Sequence, residues 1–173
     1  LRDLVRKADV VVENFSRRVM GNFGLPYEVL AEINPRLVMI SMPGFGDRGP
    51  YKDYVAFGEI IEAMAGLCSL TGYRDGNPMR SAIAFGDPVS GLHGSLAVID
   101  ALVDRQATGS GAGLALSHLQ GISRCLGEEI VAQARIAFIE ELSNRGIPRD
   151  AVEVFEVPGS LEIPLQAKLL ARS

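Results

Sequence analysis

Tryptophan is absent from the sequence, and cysteine and histidine occur only twice each, as Cys68, Cys125, His93 and His118. Two cysteines so far apart make no disulfide framework and read as small buried residues. The histidines fall in no H-x-x-x-H or mixed Cys/His spacing, so no metal site is expected. Lys and Arg are unclustered and the net charge is −4. That balance argues against nucleic acid or an anionic membrane as partner and leaves small solutes. No apolar run approaches the about 18 residues of a membrane span. The N-terminus lacks the charged-then-apolar plan of a signal peptide, and a cytoplasmic location is expected. The chain opens at Leu1, without an initiator methionine, directly in a helical pattern, and reads as a piece of a longer protein.

With 47% hydrophobic and 22% charged residues over 173 positions, the composition suits a folded domain with a packed core. Leu1, Leu4 and Val5 have helical spacing, and Val10–Val12 form a β-branched run of the kind buried on both faces of a sheet. Pro26 opens a short helix through Leu30 and Ile33 that Asn34-Pro35 ends, and a second strand follows at 37–41. A helix over 52–66 closes at Gly66. Strands near 113–116 and 152–157 complete an α/β fold with a mostly parallel sheet and flanking helices. Ser117 and Gln120 form a capping-box pair, after which apolar residues from Leu119 through Ile130 and Phe138 to Leu142 predict a single long helix ended by Gly146.

The chain turns on Asp87. A short apolar run stops at Gly86, and Leu92, Leu96, Ile99 and Leu102 then recur at the spacing of a buried helical stripe. Asp87-Pro88 reads as an N-cap followed by the first helical residue, which explains an aspartate there without any chemistry. The alternative is a nucleophile. Gly86, Gly91 and Gly94 leave room beside the carboxylate, and a helix N-terminus keeps it ionised. Asn14 and Phe15 follow the first strand, where they are either a plain turn or groups at the ligand-binding end of the sheet. The loop SMPGFGDRGPY matches no nucleotide-binding glycine motif and reads by itself as a mobile connection.

The phrases ADVVVENF, NPRLVMISMPGFGDRGPY, and GDPVSGLH followed by ALVDRQATGSG occur in that order, and together resemble the class III CoA transferase family over residues 1–127. The resemblance implies that Asp87 carries the acyl group and that Asn14 and Phe15 contact the coenzyme. It also places Phe57 where some relatives have a coenzyme-contacting tyrosine. Coenzyme A is then a substrate, with no covalently bound cofactor, and the partners are an acyl-CoA and a small carboxylic acid. The implied reaction passes through a mixed anhydride and an aspartyl-CoA thioester, with backbone N–H groups of the glycine loops at the oxyanion. The family further implies a homo-oligomer, an interlocked dimer whose absence would leave apolar surface exposed.

Beyond residue 127 the phrase VEVFEVPGSLEIPLQAKLLA resembles lumazine synthase, an enzyme of riboflavin biosynthesis. Over residues 128–173 that resemblance implies a helix-strand-helix segment in which Ser160, Leu161 and Glu162 line a substrate pocket. Glu162 is also favoured electrostatically in the first turn of a helix, whatever its function. The two partial resemblances predict a truncated two-family chimera fused through a continuous helix near residue 128. Three functions follow: a CoA transferase fragment, a lumazine-synthase-like enzyme, or an inactive structural fragment.

Overall fold

The computed structural model describes residues 1–73 and 75–146, and the chain divides into two compact units, Leu1–Leu126 and Gly127–Ser173. The first unit holds a three-stranded parallel sheet in the order β1 (Val10–Glu13), β2 (Val38–Ser41), β3 (Ala112–Ala115). Val10 pairs with Val38, which pairs in turn with Ala112, and the strands end level at Glu13, Ser41 and Ala115. The predicted strand over 152–157 lies outside the described residues.

β2 is buried on both faces, as its unbroken apolar run requires. Met39 joins Val5, Met20, Leu30 and Leu37 in a cluster formed by α1 (Arg2–Val5), α2 (Val19–Asn22) and α3 (Tyr27–Ile33). Pro26 takes the N-cap position of α3, and Asn34 closes it, its amide donating to the carbonyls of Val5 and Ala8 at 3.0 and 2.9 Å. Ile40, one residue on and so on the opposite face, meets α6 (Gly86–Thr108) at Gly94. A second cluster of Ile61, Ile122 and Leu126 joins α4 (Gly58–Met64) to α7 (His118–Cys125), with α5 (Leu67–Leu70) alongside.

α6 departs from the expected packing. Leu92, Leu96 and Ile99 are 73, 67 and 59% exposed, and its buried residues are Gly86, Ser90, Gly94 and Ala101. The small residues face inward because the helix runs close to its neighbours. A Cβ on Gly86 would fall 2.6 Å from Ile122 Cδ1, and one on Gly94 would fall 2.9 Å from Met42 Sδ. These two glycines therefore serve helix packing, and neither clears space for a ligand; Gly91 alone has open space around it. The outward stripe of α6 is continued by Val103 at 60% exposure.

The single long helix predicted after Ser117 is two. α7 ends at Cys125 with Leu126 as its C-cap, whose φ of −103° and ψ of 17° leave the helical range, and α8 (Gly127–Asn144) begins at the next residue, in the second unit. Glycine at the break has the lowest helix propensity after proline, so the interruption falls where continuation is weakest. Gly146, at φ 79°, follows α8 as expected. Neither cysteine is buried, since Cys68 is half-buried and Cys125 exposed. No helix among the described residues is long and apolar enough to cross a membrane.

Candidate active site

The level carboxyl ends of three parallel strands put their following residues on one edge of the sheet, the edge at which ligands bind in open α/β folds. After β1 come Asn14, Phe15 and Ser16, after β2 comes Gly44, and after β3 comes His118; all of them line one groove of ≈ 410 Å³. The remaining wall is the segment Tyr54–Gly58 with Val19 and Ile61, and Asp87 projects into the same space from the first turn of α6. The four residues singled out in the sequence for this chemistry, Asn14, Phe15, Phe57 and Asp87, thus converge from three separate stretches.

The loop between β2 and α4 is held, contrary to its reading as a mobile connection. Phe45 is buried, and its ring centroid lies 6.0 Å from Tyr51 and 6.1 Å from Tyr54. The Gly44 carbonyl accepts from the Leu119 N–H at 3.0 Å and from Ser117 Oγ at 3.3 Å. Gly46 needs its freedom, because its φ is 78° and a Cβ there would lie 3.0 Å from Ser117 Cβ. At the end of β1 the buried Glu13 carboxylate accepts the Phe15 N–H at 2.8 Å, which fixes the turn that carries Asn14 and Phe15. The rings of Phe15 and Phe57 are 52 and 79% exposed, an apolar surface beside a carboxylate.

Asp87 is not the helix cap. α6 begins one residue earlier, Phe85 holds the N-cap position, and no side chain of that residue or of Asp87 caps the helix. Glu62 of α4, 1% exposed, supplies the missing acceptor: its Oε1 takes the Phe85 N–H and its Oε2 accepts from Ser81 Oγ at 2.8 Å. Two donors satisfy this buried carboxylate, as burial demands. Asp87 is left free of structural duty, with its side chain 52% exposed to the groove. Gly58 allows the carboxylate its place, since a Cβ there would stand 3.1 and 3.2 Å from the two Asp87 oxygens.

His118 is the site residue that the sequence reading passed over. Ser117 caps α7, accepting the Gln120 N–H at 3.4 Å, and this makes His118 the first residue of a helix that starts at the ligand-binding edge. Its imidazole is 4% exposed, and Nδ1 lies 3.3 Å from Asp87 Oδ1. The contact is off the line of a hydrogen bond, and among the described residues neither ring nitrogen has a hydrogen-bond partner. The available signal was the capping pair itself, which places residue 118 at the end of a strand. Among the described residues no cluster of three or more His, Cys, Asp or Glu could hold a metal ion. Ser160, Leu161 and Glu162 lie outside the described residues.

A parallel α/β sheet with a carboxylate and exposed aromatic rings at its carboxyl edge defines an α/β protein whose groove suits a ligand both polar and aromatic. A family profile for CoA-transferase family III matches residues 1–156, and the chain belongs to that family. It is 38% identical over 111 residues to the succinate–glutarate CoA-transferase of Agrobacterium fabrum, covering 64% of this chain and 28% of that relative. It is 42% identical over 120 residues to the acetyl-CoA:oxalate CoA-transferase of Acetobacter aceti, covering 69% and 31% respectively. Among solved structures, a CAIB/BAIF family protein from Brucella suis superposes with a TM-score of 0.73 at 36% identity, over 78% of this chain and 35% of that one. The chain therefore spans about a third of the length of the relatives it matches.

Proposed function

We propose that this chain carries the aspartate-bearing part of an acyl-CoA:carboxylate CoA transferase, with Asp87 as nucleophile. The observation that supports it most is the convergence of Asn14, Phe15, Phe57 and Asp87 on one groove at the carboxyl ends of the strands. A half-exposed carboxylate that lies inside the first turn and caps nothing is free to attack a thioester carbonyl. Released CoA thiolate then attacks the anhydride to give aspartyl-CoA, and an acceptor carboxylate takes the coenzyme. Phe15 and Phe57 offer their ring faces to the coenzyme, with Asn14 as a polar contact beside them. The named relatives act on succinate and glutarate, and on acetyl-CoA and oxalate, which makes small carboxylic acids the acceptor class here. A homo-oligomer that covers the outward stripe of α6 belongs to the same reading, as does a cytoplasmic location.

The lumazine-synthase-like alternative rests on residues 128–173, whose most specific phrase and pocket residues lie outside the described residues. The extent of the family match, to residue 156, weighs for the transferase. Coenzyme binding tests the proposal before any turnover is sought. Millimolar CoA is expected to raise the thermal midpoint in a concentration-dependent way, by the linkage between binding and unfolding. No rise at any concentration would reject the groove as a coenzyme site. Phe57→Ala is expected to weaken CoA by about 0.5–1.5 kcal/mol, the worth of an aromatic stacking contact. Isothermal titration measures it, and undiminished affinity would remove Phe57 from the site.

A further inference from the structure

We infer that His118 is the oxyanion donor of the transfer reaction, acting on Oδ1 of Asp87; this rests on the proposed nucleophilic role of Asp87. The imidazole is enclosed at 4% exposure, lines the groove, and holds Nδ1 3.3 Å from Oδ1, off the line of a hydrogen bond in the resting site. Buried ring nitrogens without a partner are uncommon and ask for a reason. Pre-organised donors aimed at where charge will develop are one such reason, and their hydrogen bonds are often long until the reacting complex forms.

The atoms assign the role. Oδ2 attacks the thioester carbonyl carbon, the C–S bond breaks, and the thiolate leaves, so that Oδ2 becomes the bridging oxygen of the anhydride. Oδ1 is then the carbonyl oxygen of the aspartyl group. When the thiolate attacks Asp87 Cγ, the electron pair of that carbonyl moves to Oδ1, which Nδ1–H receives as an oxyanion. Collapse breaks the Cγ–Oδ2 bond and expels the original acid as its carboxylate, leaving aspartyl-CoA. Attack by the acceptor carboxylate on the same carbon places the charge on Oδ1 a second time; collapse breaks the Cγ–S bond and releases the CoA thiolate, which then attacks the acceptor's acyl carbon of the new anhydride, giving the product acyl-CoA and freeing the Asp87 carboxylate. One fixed donor therefore serves both half-reactions without moving. The neighbouring contact keeps the two helices at this spacing, because Gly121 of α7 leaves room for the buried Ser90 of α6, where a Cβ would lie 3.3 Å from Ser90 Oγ.

Asparagine and glutamine separate this role from packing. The amide nitrogen of asparagine reaches about as far as Nδ1, whereas that of glutamine extends toward the place of Nε2. With acetyl-, formyl- and succinyl-CoA as donors and oxalate or succinate as acceptor, His118→Gln is expected to slow formation of aspartyl-CoA about 100-fold, the loss typical of one oxyanion donor. His118→Asn is expected to stay within about tenfold of wild type, and the KM for the acyl-CoA to be unchanged in both. Equal rates in wild type and His118→Gln would overturn the inference while leaving Asp87 as nucleophile. Equal loss in both variants, with an equal fall in thermal midpoint, would overturn it in favour of packing. Absence of any adduct in wild type under all three donors would overturn the transferase reading and this inference with it.

Discussion

Asp87→Asn is expected to abolish CoA transfer while the protein keeps its stability. Asparagine preserves the size and polarity of the side chain but supplies no anionic oxygen to attack a thioester, and the mixed anhydride cannot form. Had Asp87 been the cap of α6, Ala would have been the damaging change and Asn the silent one. The structure reverses that expectation, since Glu62 takes the Phe85 N–H and Asp87 makes no capping bond. What either substitution loses is the attraction between a carboxylate and the helix N-terminus, about 0.3–1 kcal/mol at an exposed site. Both variants should therefore unfold in urea close to wild type, and both should fall to background in a transfer assay. Transfer retained by the Asn variant would take Asp87 out of the mechanism.

Gly111→Ala is expected to be the most damaging of the conservative glycine substitutions. Gly111 leads into β3, where its N–H donates to the Pro35 carbonyl at 2.8 Å and the Ala112 N–H donates to the Leu37 carbonyl at 3.1 Å. A Cβ at Gly111 would fall 2.0 Å from the Leu37 carbonyl oxygen, which is backbone of a fully buried residue and has nowhere to go. Relief requires the start of β3 to separate from β2, with loss of those bonds, at about 3 kcal/mol or more. Gly91→Ala should act in the opposite sense. Its position in α6 is helical and open, so alanine gains about 0.5–1 kcal/mol from helix propensity. Urea midpoints of the two variants should straddle wild type; a neutral Gly111→Ala would contradict the close pairing of β2 and β3.

Much of the sheet was legible in the sequence, and the reason is local. The run at 37–40 has no polar position to face water, and β2 is covered on both sides as that requires; Val10–Val12 also forms a strand, but Val12 is 60% exposed, so β1 is not buried on both faces as its apolar run suggested. The aspartate, the Asn-Phe pair and Phe57 could be named because each stands in a recognisable phrase. What could not be read depends on distance in space. Nothing in the neighbourhood of residue 85 reveals that a carboxylate 23 positions earlier, Glu62, receives its N–H. The inward face of α6 was misassigned for a related reason: periodicity marks the large residues, but a helix that packs close buries its small ones, and Leu92, Leu96 and Ile99 turn outward. The continuous helix is interrupted at Leu126, where an apolar rhythm hides a residue whose φ and ψ leave the helical range. His118 stands in no metal-ligand spacing and in no recognisable phrase, and the aspartate it approaches is 31 residues away in sequence and 3.3 Å away in space.

The most direct measurement is the mass of the peptide that contains Asp87 after incubation with acetyl-, formyl- or succinyl-CoA. The account predicts a coenzyme A adduct on the Asp87 carboxyl, released by hydroxylamine with a hydroxamate left at that residue, and absent from Asp87→Asn. An unmodified Asp87 in protein that CoA demonstrably stabilises against heat, or an adduct on any other carboxylate, would contradict it.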